Sequence, residues 1–193
     1  MDKEAEIVRQ IEDSVALHGY LQKQAGLLTI IAGLLVEGFR KGNKVLLFGN
    51  GGSAADAQHI ASELAGKFYR DRASLPAIAL TTNTSSLTAI GNDYGYEEVF
   101  ARQVKGLVRE GDAVIGISTS GNSPNVLRGV EEAKRLGAIT IAFIGQGGEL
   151  KNLADYVLSI PSSDTPRIQE AHITAGHIIC YLVEEALFGH KDK

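Results

Sequence analysis

The N-terminal part of the chain carries apolar side chains at helical spacing. Residues 3–22 have an apolar residue every three or four positions, which predicts a helix with one apolar face. Residues 24–40 are apolar over most of the helical circumference, so a helix there must be buried on several sides. We therefore expect the second helix to join a subunit interface as well as the core, and to end near Gly42. The apolar positions of the first helix are Ile7, Ile11, Val15, Leu17 and Leu21.

After Gly42 the pattern changes to short runs of Val, Ile, Leu and Ala. These runs predict strands at residues 44–48, 76–80, 113–117, 138–144 and 156–160. Helical spacing predicts helices near residues 54–66, 85–107, 124–136 and 149–154, and a last one over 167–188 that ends at Gly189, before a polar tail of residues 190–193.

Strands that are apolar throughout and alternate with helices are typical of a parallel sheet with both faces covered. The expected fold class is therefore α/β, a three-layer α-β-α sandwich around a central five-stranded parallel sheet. We expect a single domain over residues 1–193. Residues 1–42 would form an N-terminal helical segment used in oligomerisation, and residues 43–193 would form the α/β core with its C-terminal helix.

Composition and charge disfavour proteins that bind nucleic acids or membranes. The chain has 44% hydrophobic and 22% charged residues, a formal net charge of −4 and a pI near 5.7. This balance gives no general attraction to nucleic acids or anionic membranes. The lone Cys180 cannot form an internal disulfide, the N-terminus lacks a signal-peptide pattern, and no apolar run reaches bilayer length. We expect a cytoplasmic protein that binds neither nucleic acid nor membrane.

Two loops rich in glycine and hydroxyl groups each follow a predicted strand and lead into a predicted helix. They are GNGGS at residues 49–53 and STSGNS at residues 118–123. Backbone N–H groups and hydroxyls at a helix N-terminus can hold an anion, and ligands of such sheets bind beyond the carboxyl ends of the strands. Neither loop contains Lys or Arg, which favours a small phosphorylated metabolite.

The second loop also has a purely structural interpretation. Ser123 is a good N-cap and Pro124 suits the first helical position. This role does not exclude phosphate binding, because the four hydroxyls of Ser118, Thr119, Ser120 and Ser123 exceed what one cap needs.

The helix after the first loop carries His59 and Glu63 at i, i+4, on one face. Such a pair can chelate a divalent metal or act as an acid and a base, or it can be an exposed helix pair. On the last helix, His177 lies among isoleucines and can equally be a core residue. His172 is about 140° around that helix from His177, so the two cannot serve one site. Gln169 is about 12 Å from His177 along the axis, so both could meet one ion only by leaning together or from different subunits.

Three other segments have simple structural interpretations. Asn92 and Asp93 fall in a glycine-flanked turn, where they could also hold sugar hydroxyls. Residues 70–72, Arg-Asp-Arg, are expected to form a solvated charged loop. Cys180 is expected to be a small buried apolar residue.

Together these residues resemble the sugar isomerase (SIS) domain family, whose members bind phosphosugars. The resemblance covers essentially the whole chain. It rests on both loops, His59-x-x-x-Glu63, the GND sequence at 91–93, and the RIQE sequence at 167–170 with His177. Within the family the chain is similar to members that interconvert sedoheptulose 7-phosphate and D-glycero-D-manno-heptose 7-phosphate, the first step of bacterial heptose synthesis for surface glycans.

The resemblance implies a site for each part of the chemistry. It implies one zinc ion per subunit, held by His59, Glu63, Gln169 and His177, and a homotetramer with active sites near subunit contacts. It places Ser53, Ser118, Thr119, Ser120 and Ser123 around the phosphate, and Asn50, Gly51, Gly52, Asn92 and Asp93 along the sugar, with Glu63 and Gln169 also at the substrate.

Proton transfer through an enediol needs a base and an acid, and our hypothesis assigns these roles to Glu63 and His177. Two alternatives stay open at this point. One is a non-catalytic SIS-domain regulator that binds a replication initiator protein, disfavoured because this chain has both Glu63 and His177. The other is an SIS isomerase for a different sugar phosphate.

Overall fold

The structure is a computed structural model that describes residues 2–189, so the predicted polar tail at 190–193 lies outside the described residues. Two helices, α1 (Lys3–Gln22) and α2 (Ala25–Arg40), precede an alternating α/β region. Its elements are β1 (Val45–Gly49), α3 (Gly52–Ala65), β2 (Ala77–Ala79), α4 (Thr84–Tyr94), a 3₁₀ turn (Tyr96–Glu98), α5 (Val99–Leu107), β3 (Ala113–Ser118), α6 (Pro124–Arg135), β4 (Ile139–Ile144), α7 (Leu150–Leu153), β5 (Tyr156–Ser159) and α8 (Thr165–Phe188).

The five strands form one parallel sheet in the order β2-β1-β3-β4-β5. All residues of β1 and β3 are buried, which is why their sequences are apolar without alternation. One buried cluster packs α2, α3 and α8 on one face, and a second packs α5 and α6 on the other. The predicted α/β class with a five-stranded parallel sheet is confirmed.

The strand order reverses between β1 and β3, because β2 lies on one side of β1 and the remaining strands extend from the other. Their register sets Gly49 opposite Ile117 at the carboxyl ends. Such a switch point leaves a crevice beyond the strand ends, and both glycine-rich loops begin there.

The predicted single helix over residues 85–107 is wrong. Gly95 has a φ of 94° and separates α4 from the 3₁₀ turn and α5. A positive φ of this kind is accessible to glycine at little cost, and it redirects the chain. The last helix also begins earlier than predicted, at Thr165, because Pro166 in its first turn needs no intrahelical N–H bond.

Helices α1 and α2 use their apolar surfaces differently. In α1 only Leu21 is buried, and Ile7, Val8, Ile11 and Val15 are between 53% and 64% exposed. In α2 Leu28, Ile31, Ala32, Leu35 and Val36 are buried against the core, while Ile30 is 51% exposed. The prediction that α2 belongs to the core is confirmed, whereas the face of α1 remains open in the single chain.

Within the described residues, no single helix is long and apolar enough to cross a membrane, although α1 and α2, bent by 66° at their junction, pass that test as a pair on length and composition.

Candidate active site

A cavity of about 300 Å³ lies between the two glycine-rich loops at the carboxyl ends of β1 and β3. Its lining residues are Asn50, Gly51, Gly52, Ser53, Ile117, Ser118, Thr119, Ser123, Thr165 and Gln169. The loops approach so closely that a Cβ on Gly49 would lie 2.7 Å from the Ile117 carbonyl oxygen. Glycine at that position therefore brings the strand ends together. The structure thus gathers most of the predicted phosphate and sugar residues around one space.

The hydroxyl groups of the second loop face one another. Ser118 Oγ lies 2.9 Å from Ser123 Oγ and 3.3 Å from Ser120 Oγ. Ser123 is the N-cap residue of α6, but its side chain makes no capping hydrogen bond. The predicted N-cap position of Ser123 and the first-turn position of Pro124 are confirmed, but the Ser123 hydroxyl contacts Ser118 instead of the α6 backbone. Ser53 and Ser118 are each 3% exposed, so their hydroxyls lie at the floor of the crevice.

The cationic residue nearest to the cavity in sequence points elsewhere. Arg167 follows the lining residue Thr165 by two positions, yet its Nη1 donates to the Gln10 carbonyl of α1 and its Nη2 pairs with Glu170 at 2.6 Å. The donors that line the cavity are accordingly neutral hydroxyls, amides and backbone groups. This agrees with the sequence expectation of an anion held by neutral donors.

His59, Glu63 and His177 form a cluster where α3 packs against α8. His59 Nε2 lies 3.1 Å from Glu63 Oε1 and 3.1 Å from His177 Nε2. One ligand atom from each of the three lies within 4.8 Å of the other two. The prediction that His177 belongs to a site rather than to the core agrees with this placement, because its ring is only partly buried.

The cluster fits a divalent metal. Ligands at about 2.0–2.1 Å around a tetrahedral zinc stand roughly 3.3 Å apart, close to the spacing seen between these nitrogen and oxygen atoms. Two imidazoles and one carboxylate are also the donor types that zinc accepts in sites that keep a position open for water or substrate. Two of the three separations, 3.1 Å each, therefore match the spacing of ligands around one ion, and the third lies within 4.8 Å.

Gln169 lies with the loop cavity. Its side chain lies so close to Gly52 that a Cβ there would be 2.4 Å from Gln169 Nε2. Gln169 precedes His177 by eight residues of α8, or about 12 Å along the helix. A glycine at position 52 thus makes room for the Gln169 amide beside the first glycine-rich loop. Its predicted place among the metal ligands stays a prediction.

Asn92 and Asp93 occupy the last turn of α4 rather than a free turn. Both are exposed, and Asn92 Nδ2 donates to Asp93 Oδ1 at 2.8 Å. They are not among the residues that line the loop cavity, and their role at the sugar stays a prediction.

Sequence reasoning missed the partners of Asn50. The side chains of Asn50 and Asn125 exchange two amide hydrogen bonds of 2.8 and 2.9 Å, and the Tyr96 hydroxyl donates to Asn50 Oδ1 at 3.2 Å. Asn125 is 2% exposed and comes from the first turn of α6. Nothing local in the sequence distinguishes this asparagine from an ordinary helix-start residue, because its partner is 75 positions away.

Two titratable groups near the site have shifted pKa values. Burial lowers the pKa of His172 to about 4, and its Nε2 lies 3.1 Å from the Ile144 carbonyl oxygen, which identifies it as a neutral core residue. This burial agrees with the prediction that His172 and His177 do not belong to the same site. Burial also raises the pKa of Asp56 to about 6, partly offset by His59 one turn later on α3.

The expected solvated loop at residues 70–72 is partly wrong. Asp71 is exposed, but the Arg72 side chain is only 2% exposed and pairs with Glu184, itself 1% exposed. Such a charge is tolerated in the interior because it is paired and fully hydrogen-bonded. Cys180 is 1% exposed, as expected, and burial raises the pKa of its thiol to about 12.

Comparisons with known proteins show which family the chain belongs to. The sequence pattern of the SIS domain family matches residues 11–145. The phosphoheptose isomerase of Aquifex aeolicus is 58% identical over 167 residues, 86% of this chain and 87% of that protein. That of Trichlorobacter lovleyi is 54% identical over 187 residues, 95% of this chain and 94% of that protein. The structure of a phosphoheptose isomerase from Francisella tularensis superimposes with a TM-score of 0.92 at 37% identity, covering 96% of this chain and 100% of that one. The chain therefore belongs to the SIS domain family and, within it, to the phosphoheptose isomerases.

Proposed function

We propose that this isomerase interconverts sedoheptulose 7-phosphate and D-glycero-D-manno-heptose 7-phosphate, in the cytoplasm, as the first step of heptose synthesis for lipopolysaccharide or other surface glycans. The observation that carries the proposal is the convergence of His59, Glu63 and His177 in a protein whose loop cavity is lined by neutral hydroxyl and amide donors. The names of the relatives identify the seven-carbon sugar phosphate.

The loop cavity supplies the phosphate site. The hydroxyls of Ser53, Ser118, Thr119, Ser120 and Ser123 donate to the phosphoryl oxygens, together with backbone N–H groups at the start of α3 and α6. Asn50, Gly51, Gly52, Asn92 and Asp93 lie along the sugar. Hydrogen bonds from neutral donors to a charged phosphate position the sugar, so that its reacting carbons meet the His59, Glu63 and His177 cluster of the same or of a neighbouring subunit.

The reaction moves one proton between two neighbouring carbons. The Glu63 carboxylate removes the proton from C1 while His177 donates a proton to the C2 oxygen, which gives a cis-enediol. Glu63 then returns its proton to C2, and the C1 hydroxyl gives its proton to His177 as the new carbonyl forms, which restores both side chains. Atoms and charge balance, because each proton that the protein takes is given back.

A zinc ion, one per subunit, would be held by His59, Glu63, Gln169 and His177. When bound, it would act as a Lewis acid that polarises the substrate oxygens and stabilises the negative charge that develops on them. Gln169 lies about 12 Å from His177 along α8, so the amide reaches the ion either by its long side chain or from a neighbouring subunit.

A homotetramer completes this proposal. The open apolar face of α1, with Ile7, Ile11 and Val15 more than half exposed, is the surface expected to pack against other copies. His59, a member of the cluster, and Tyr69, whose ring contacts that of Phe68, are exposed, which agrees with active sites near subunit contacts.

The test is an assay of the purified protein with sedoheptulose 7-phosphate, before and after removal of metal by a chelator. We expect formation of the heptose phosphate, its loss on chelation, and its return with added zinc. Fructose 6-phosphate serves as the control substrate for an isomerase of a different sugar phosphate. Turnover of fructose 6-phosphate alone, or no turnover of either sugar, would contradict the proposal.

A further inference from the structure

The most heavily hydrogen-bonded charged pair near the active site is Arg72 with Glu184, which we call the clamp. Arg72 Nε donates to Glu184 Oε2 at 3.1 Å, and their side chains are 2% and 1% exposed. Neither residue lies in a glycine-rich loop, and neither belongs to the metal cluster. A buried pair of this kind is weak evidence for stability on its own, which raises the question of what it holds in place.

On one side the clamp fixes the end of α3. The Arg72 guanidinium donates to the carbonyl oxygens of Glu63 at 2.8 Å, Leu64 at 2.6 Å and Gly66 at 3.0 Å. These are carbonyls of the last turn, which have no partner within their own helix. Glu63, which carries the proposed base, is therefore held through its own main chain.

On the other side the clamp fixes the segment that follows α3 against α8. Glu184 accepts backbone hydrogen bonds from Phe68 at 3.0 Å, Tyr69 at 2.8 Å and Arg70 at 2.9 Å. All four groups that face the Glu184 carboxylate are donors, so the site requires a carboxylate rather than an amide. Glu184 lies seven residues after His177, two turns along the same face of α8. The Phe68 ring lies with its centroid 5.9 Å from that of His177.

The clamp thus joins the main chain of Glu63 to the helix that carries His177. We propose that Arg72 and Glu184 are positioning residues for the isomerase reaction, which set the separation of Glu63 and His59 on α3 from His177 on α8. The expected change in kcat rests on the proposed function. The distance between the side chains on α3 and His177 on α8 tests the positioning role independently of activity. Misplacement by about 1 Å in such a site can cost on the order of 100-fold in rate.

The location of the clamp predicts which kinetic constant changes. Helix α3 has 14 residues, so its C-terminal end is about 20 Å from the loop residues at its start. Loss of the clamp displaces the acid–base cluster and leaves the phosphate cavity in place. We therefore expect kcat to fall while KM stays within about twofold.

The test compares Arg72→Lys and Glu184→Gln with Asp112→Asn. Asp112 is a matched control, because it is also a 1% exposed carboxylate that accepts from a cation and from backbone groups, but at the amino end of the sheet. Each variant is assayed where circular dichroism shows it to be folded. We expect both clamp variants to lose roughly 10- to 100-fold in kcat and in zinc affinity, measured by chelator competition, and Asp112→Asn to keep both.

The outcomes separate this proposal from the proposed function. Wild-type protein without activity on sedoheptulose 7-phosphate contradicts the proposed function alone. The proposal for the clamp is then decided by crystal structures of the wild type and of Arg72→Lys, between which the separation of His59 Nε2 and His177 Nε2 must differ by about 1 Å. Wild-type kcat and zinc affinity in folded clamp variants, or an unchanged separation, would overturn it. If Glu184→Gln does not fold, Arg72→Lys, which keeps the positive charge, carries the test.

Discussion

The polar groups at the two ends of the parallel sheet have different hydrogen-bond partners. At the amino end, Asp112 accepts hydrogen bonds from the Lys44 side chain at 2.5 Å and from the backbones of Lys44 and Arg109. These donors outweigh burial, which by itself would raise the pKa of Asp112, and hold it below its usual value. At the carboxyl end, the hydroxyls of Ser118 and Ser123 contact each other.

Polar residues that stabilise the fold can therefore be distinguished from polar residues that serve a ligand. A carboxylate whose oxygens are satisfied by its own chain contributes to the folded state. Hydroxyls that contact one another at the carboxyl ends of the strands keep donors and lone pairs for a ligand. Four substitutions test this contrast.

Glu63→Gln should have the largest effect. The amide keeps the size of the side chain but cannot accept the C1 proton, so we expect kcat to fall by about 10³-fold or more. Binding of the phosphosugar, measured by calorimetry, should change little because the phosphate cavity is intact. Glu131→Gln, an exposed position on α6, is the control and should keep full activity. Retained activity in Glu63→Gln would remove the assigned base.

Asp112→Asn tests the amino end. It leaves the Lys44 ammonium, whose side chain is 23% exposed, without its carboxylate partner. We expect a loss of about 3 kcal/mol in the free energy of unfolding, measured with urea, because one partner of a mostly buried pair is removed. The kcat of the folded protein should be unchanged. A fall in kcat would mean that the two ends are coupled.

Ser123→Ala tests the carboxyl end. The Ser123 hydroxyl does not cap α6, so its loss should change stability by less than about 0.5 kcal/mol. One lost hydrogen bond to a charged phosphate should raise KM by roughly 10-fold or more.

The matched control for Ser123→Ala is Asn83→Ala. Asn83 does cap its helix, by accepting from the Ser86 backbone at 3.0 Å, and its loss should cost about 1 kcal/mol of stability at constant KM. An unchanged KM in Ser123→Ala would place the phosphate elsewhere.

His172→Gln leaves the catalytic groups in place and isolates one pH dependence of stability. Burial lowers the folded-state pKa of His172 to about 4, below the unfolded value of about 6.5. The unfolded chain therefore binds the proton first, and stability falls as pH drops from 6.5 toward 4. Between pH 7 and 5 the wild type should lose about 2 kcal/mol more than His172→Gln, measured by urea unfolding at both pH values. Equal losses would show that this imidazole does not contribute.

Local patterns were enough to predict the architecture. The strands were recognisable because every residue of β1 and β3 is buried, which removes the polar alternation of an exposed strand. The loops at 49–53 and 118–123 were recognisable because glycine and hydroxyl residues follow those strands directly. The break at Gly95 was missed, since helical spacing continues on both sides of a backbone change that one glycine permits.

Most helices, all five strands and the chemistry of the two glycine-rich loops followed from the residue pattern, because these features depend on neighbours within a few residues. The pairs of side chains that meet could be read only from the folded chain. His177 reaches His59 across 118 positions, and Arg72 leaves solvent because Glu184, 112 positions away, offers a buried carboxylate. Such contacts depend on how α3 and α8 pack, and helix packing is a property of the whole core rather than of any local segment.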